Sequence, residues 1–142
     1  MKLRIAVVAL ALMLGGCSDP YGACEKAALD IGNGVGSGMK TVDQLRVQGL
    51  ITVQEETSAL GYMKFVNDAN GAFSVCAQQA HNAGGKAGAY TACAQTFTAA
   101  LATPSELALI KVSNPTAQQD IQVIANGFTT GLTGLIAALG GK

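Results

Sequence analysis

Few side chains in this 142-residue sequence can do chemistry: four cysteines (Cys17, Cys24, Cys76 and Cys93), one histidine (His81) and nine acidic groups. Three thiols and an imidazole would make up a Cys₃His zinc set. His81 stands five residues after Cys76 with no CxxC knuckle nearby, so no metal ligand is assigned. Covalent haem attachment would need CxxCH, which does not occur. A Cys–His nucleophile would need a third group to orient the imidazole, and the sequence nominates none. The Asp and Glu residues are scattered, without the paired spacing of acid–base catalysis, and no phosphate-loop pattern is present. The expectation is therefore a non-enzymatic protein with no catalytic residue, cofactor or metal. His81 falls near the end of a predicted helix, where a cation complements the helix dipole. Covalent modification and cross-linking remain for the thiols.

The first of them sits in a particular setting. Lys2 and Arg4 are followed by Ile5–Leu14 without a polar residue, and then by Leu14-Gly15-Gly16-Cys17. A basic start, a short apolar core and small residues before a cut site are the parts of a secretory signal. Ten apolar residues are too few for a spanning helix, which needs roughly 20. Leu14-Gly15-Gly16-Cys17 resembles the lipobox of bacterial lipoproteins, whose Cys receives lipid after cleavage. The resemblance covers about the first 17 residues. It implies that residues 1–16 are a signal peptide and that Cys17 is the lipidation site. Loss of Lys2 and Arg4 would leave seven basic against nine acidic residues. In enterobacterial lipoproteins Asp directly after the lipidated Cys favours the inner membrane. Ser18 stands there, so the resemblance implies the outer membrane, facing the periplasm. Ser18-Asp19-Pro20-Tyr21-Gly22 is turn-like, and residues 17–22 read as a lipidated tether reaching at most ~20 Å.

Residues 23–142 must supply the body. Cys24, Ala28, Ile31, Val35, Met39 (with Gly38), Val42 and Leu45 recur every three or four residues, the period of a helix with one buried stripe. Gly49 is a stop, and Thr52 with Glu55 reads as a capping box. Leu60, Met63, Val66, Asn70, Phe73, Ala77 and Ala80 form a second stripe to about Asn82. Asn67–Gly71 is turn-like and predicts a kink within it. Asn82–Gly85 is a turn. Tyr90, Cys93 or Ala94, Phe97 and Leu101 mark a third helix, and Thr103-Pro104 opens a short one ending near Val112. Asn114-Pro115 starts the last stripe: Ala117, Ile121, Ile124, Phe128, Leu132, Leu135 and Leu139. No alternating strand pattern appears. The expected fold is all-α, an antiparallel helical bundle of about four long helices and one short one.

Two patterns belong to this body. Residues 31–38 echo residues 124–131, each with glycines four apart: Gly34/Gly38 and Gly127/Gly131. A helix-interior glycine costs up to about 1 kcal/mol against Ala, so these four are expected to offset that by close packing, between the first and last helices of the bundle or against another chain or a membrane helix. Cys76 and Cys93 lie equally far from the turn at 84–85, and Cys24 and Cys76 equally far from the turn near 50. All three thiols should therefore share one level. They make at most one internal bridge. Cys76–Cys93 is the first choice, with Cys24 as the alternative partner of either.

The chain is 49% hydrophobic and 13% charged, with basic and acidic residues in balance. That argues against disorder and against a nucleic-acid partner. The leading expectation is a membrane-anchored module acting through envelope contacts, held by lipid on Cys17 and binding another envelope protein or itself. The alternatives are a carrier of small apolar ligands and a membrane-active factor of the lysis or exclusion type.

Overall fold

The computed structural model describes residues 19–102 and 111–140. Their regular structure is helical: α1 (Pro20–Val47), α2 (Val53–Asn82), α3 (Ala87–Leu101) and α4 (Pro115–Gly140). Cys17, the signal residues before it and the short helix expected after Thr103 lie outside the described residues.

Local chemistry sets the helix ends. α1 begins at Pro20, inside the stretch read as tether. Asp19 is extended and accepts from the Tyr21 N–H at 3.0 Å, and Pro20 occupies the first helical position, where no N–H is needed. α1 ends where Gly49 takes φ +71°. There the Gly49 N–H donates to Arg46 and the Leu50 N–H to Leu45, the paired bonds of a Schellman motif. α2 closes the same way: Gly84, at φ +104°, donates to His81, and Gly85 donates to Ala80. The capping box of α2 is present, Thr52 Oγ1 accepting from Glu55 N–H and Glu55 from Thr52 N–H. Asn114 caps α4, its Oδ1 accepting from the Thr116 and Ala117 N–H groups.

α2 runs as one helix through Asn67–Gly71, the run that reads as a turn-like interruption in the sequence. The side chains that make this run look like a turn are engaged elsewhere. Asp68 pairs with Lys64 one turn earlier at 2.7 Å. Asn70 reaches out of α2 and donates to the Ala28 carbonyl of α1 at 2.9 Å. Neither competes for the α2 backbone, which is how such residues usually break helices.

The direction of each helix follows from its contacts. Asn70 meets Ala28, Met63 lies against Gly38, and Glu56 pairs with Arg46, so α2 is antiparallel to α1. Phe73 packs on Phe97 with ring centres 5.5 Å apart, and Cys76 is bonded to Cys93, so α3 is antiparallel to α2. Phe128 lies against Gly34 and Ile124 against Gly38, so α4 is antiparallel to α1. α3 also packs on α4 and only brushes α1. The result is an up-down-up-down ring, in which α3 has 15 residues and the other helices 26 to 30.

The interior is apolar: Ile31, Val35, Val42, Met63, Val66, Phe73, Phe97, Ile121, Phe128, Leu132 and Leu135 are all buried. Each large side chain removed from water contributes roughly 1.5–3 kcal/mol. Asn70 is the one buried polar residue among the described residues. The α1 stripe differs from the sequence reading at one point. Gly38 faces inward, while Met39 is 43% exposed on the outside.

Candidate functional site

The start of α1, the end of α2 and the start of α3 meet at one end of the ring, here termed the proximal end because Cys17 precedes it. Cys76, half-buried on α2, and Cys93, buried on α3, form a disulfide across the α2–α3 hairpin, their Cα atoms 5.8 Å apart. The turn at Gly84–Gly85 fixes the register of this hairpin and brings the two cysteines opposite each other. Cys24 of α1 is a free thiol with no exposed surface. Burial, assisted by the nearby Asp19 charge, pushes its pKa up to about 11. A thiol held this far from ionisation is a poor nucleophile.

Three rings close over this end. Tyr21 stacks on His81 with centroids 4.2 Å apart and planes 17° from parallel. The Tyr90 hydroxyl lies 3.4 Å from His81 Nδ1, and the Tyr21 and Tyr90 rings are tilted against each other at 6.4 Å. The nearby Glu25 carboxylate raises the Tyr21 hydroxyl, chiefly through hydrogen bonding, and burial raises that of Tyr90. His81 thus ties α1 to the α2–α3 hairpin. Among the described residues no group of three or more Cys, His, Asp and Glu side chains could hold a metal. Tyr21 was read as tether, and its part here was not legible because the pairing depends on α1 starting early.

The expected packing glycines behave differently from one another. A Cβ on Gly34 would lie 3.1 Å from the Phe128 ring. One on Gly38 would lie 2.9 Å from Met63 Sδ and 3.1 Å from Ile124 Cγ2. Both therefore allow α1 to approach its neighbours closely. Gly131 is buried on α4. Gly127 is not a packing contact: a Cβ there would meet nothing within 4 Å. The echo between residues 31–38 and 124–131 is thus one of sequence, and the two copies do not make equivalent contacts.

Outside the ring, α1 and α2 border an open groove of about 570 Å³, lined by Gly32, Gly36 and Met39 of α1 and by Leu60, Gly61 and Lys64 of α2, among others. Among the described residues, five of the six large apolar side chains left exposed belong to these two helices: Leu29, Met39, Val47, Val53 and Val75. α4 is long and apolar enough to cross a membrane, with a mean hydropathy of 1.4 over its most apolar window. In the fold it turns Ile121, Phe128, Leu132 and Leu135 inward and leaves Gln119, Gln122, Asn126 and Thr129 exposed.

No family model matches the chain, and no similar protein was found among curated proteins or solved structures.

Proposed function

We propose that the chain is a lipid-anchored helical module of the bacterial cell envelope, acting through protein contacts rather than by catalysis. The observation that carries the reading is the Cys76–Cys93 disulfide in a chain whose first residues resemble a lipoprotein signal. Structural disulfides belong to oxidising compartments such as the periplasm, to which such a signal directs a protein. In this reading residues 1–16 are removed and Cys17 carries the acyl chains, each buried methylene contributing about 0.8 kcal/mol to anchoring. The start of α1 at Pro20 leaves Ser18 and Asp19 between the anchor and the ring. Two residues span at most ~7 Å, so the proximal end would stand close to the bilayer, and Ser18 favours the outer membrane. The exposed apolar side chains on α1 and α2 support contact with a protein partner.

The test is incorporation of radiolabelled palmitate in cells. The wild type takes up label and Cys17→Ala does not. Equal labelling of both removes the anchor from the reading. Cross-linking in intact cells, followed by mass spectrometry, identifies what the module touches.

A second reading rests on α4, whose length and apolarity would let it enter a membrane. It requires the ring to open. It predicts that vesicles of phosphatidylethanolamine and phosphatidylglycerol release an enclosed dye when the protein is added, whereas the contact reading predicts no release.

A further inference from the structure

Charge is spread unevenly around the ring. α1 and α2 expose Glu25, Lys26, Lys40, Asp43, Lys64 and Asp68, whereas among the described residues no exposed side chain of α3 or α4 is charged. A soluble surface normally carries roughly 25–35% charged residues, so their absence from two adjoining helices sets one flank of the ring apart. On α4, Gln122, Asn126, Thr129 and Thr133 stand four, three and four residues apart, which places them on one face of the helix. That face is opposite Ile124, the side chain that meets α1. The acidic Asp120 is half-buried one turn before Ile124, on the α1 side. On α3, which packs against α4, Gln95 is exposed as well. The flank thus presents small hydroxyls and amide N–H donors, and no carboxylate.

The place of the anchor says what covers this flank. α1 starts at Pro20, three residues after Cys17, and three residues span at most ~10 Å. A lipid on Cys17 therefore holds the bilayer within about one helix-to-helix spacing, ~8–10 Å, of the first turn of α1. A surface that close lies under the proximal end or along a helix next to α1, which is α2 or α4. The proximal end exposes Asp19, Glu25, Lys26 and Lys86, and α2 exposes Lys64 and Asp68. Each of those charges gives up water against a membrane, and anionic lipid repels the carboxylates. The α4 side meets neither cost. Its amide donors face a headgroup layer of phosphate and ester oxygens, which accept. We propose that the closed ring lies along the bilayer on its α3–α4 flank, against phospholipid headgroups. The 26 residues of α4 then run parallel to the surface for ~39 Å. The exposed apolar side chains of α1 and α2 are left facing away from the bilayer, open to a protein partner. This orientation rests on the lipid-anchor reading and, unlike the reading in which α4 enters the membrane, keeps the ring closed.

The test uses the full chain made in cells, purified in mild detergent and reconstituted into vesicles of phosphatidylethanolamine and phosphatidylglycerol. A nitrobenzoxadiazole probe is placed on one introduced cysteine at a time, in a Cys24→Ala background that keeps the Cys76–Cys93 bond. Vesicle flotation reports the anchor, and quenchers fixed at the headgroup or deep in the acyl region report depth. Probes at Gln95→Cys and Thr129→Cys shift to the blue on vesicles and are quenched at least twofold by the headgroup quencher. Probes at Ser74→Cys on α2 and Ala83→Cys at the proximal turn are not. Gln122→Glu with Thr129→Glu puts carboxylates on the flank. With the helix content unchanged, the pair removes quenching at Gln95→Cys while the protein still floats, whereas Gln122→Asn with Thr129→Ser retains it. Flotation without quenching at Gln95→Cys and Thr129→Cys overturns the orientation and leaves the anchor standing, as does quenching strongest at Ala83→Cys, the mark of an upright ring. Deep quenching at Thr129→Cys with release of enclosed dye overturns it in favour of an inserted α4. Failure to float removes the anchor reading and this orientation with it.

Discussion

Reducing the Cys76–Cys93 bond should lower the melting temperature of the protein by roughly 10 °C. The bond closes a loop across a sequence separation of 17. In the chain-entropy treatment a loop of this size limits the unfolded ensemble by about 3 kcal/mol. With unfolding entropy near 2 cal/mol/K per residue, 1 kcal/mol in a domain of about 120 residues corresponds to roughly 3–4 °C. Helix content at room temperature should survive, because Phe73, Phe97 and the turn at Gly84–Gly85 hold the α2–α3 hairpin without the bond. The assay is a circular dichroism melt with and without a phosphine reductant, on the wild type and on Cys76→Ala/Cys93→Ala. Reductant should move the wild type to the melting temperature of the double variant and leave that variant unmoved. Cys24→Ala is the proper control rather than Cys24→Ser, because a hydroxyl at this fully buried position would bring its own desolvation cost. Thiol titration completes the test. In a chain of residues 18–142, which lacks Cys17, the remaining free thiol is buried with a pKa near 11, so the folded protein should react slowly and denaturation should release one thiol per chain. A wild-type shift under about 3 °C, or a free thiol mapped to Cys76 or Cys93, would refute the reasoning.

Two further predictions concern packing and pH. Gly38→Val should destabilise by about 1–3 kcal/mol through overpacking against Met63 and Ile124, whereas Gly127→Ala, with open space around it, should stabilise by up to about 1 kcal/mol; chemical denaturation of the two variants checks the difference in sign. The Glu55 carboxylate accepts from Thr52 N–H and from both Ser113 N–H and Ser113 Oγ, and these bonds lower its pKa to about 2. An unfolded Glu titrates near 4.3, so the stability this gives is present above that value and is lost as pH falls from about 5 toward 2. Glu55→Gln should flatten the fall in melting temperature over that interval, and an unchanged slope would show that other carboxylates govern it.

The helix ends and the bridge were legible in the sequence because each depends on a few neighbouring residues. Gly49 and Gly84 take positive φ at the two turns, Thr52 and Glu55 cap each other, and the spacing of Cys76 and Cys93 about one tight turn decides their pairing. Where the sequence misled, a tertiary partner decided. Asn70 resembles a turn residue until Ala28 of another helix is placed beside it. Gly127 resembles Gly34, but only Gly34 has an aromatic ring against it. Met39 and Gly38 are adjacent, and which of them turns inward depends on Met63 and Ile124, side chains that periodicity along α1 does not reveal.

The seam between α1 and α4 governs the order in which the chain can complete its fold. α1, α2 and α3 follow one another through short turns and pack on their sequence neighbours, so those interfaces can form as the chain emerges from its N-terminus. Gly34 and Gly38 instead await Phe128 and Ile124, roughly 90 residues later. Until then the faces of α1 and α3 against which α4 packs lack that cover. Ile121, Phe128, Leu132 and Leu135 then enter together along one face of a single helix. α4 is made after the helices it covers, and exposed apolar surface of this kind is what invites aggregation or chaperone binding in unfinished chains.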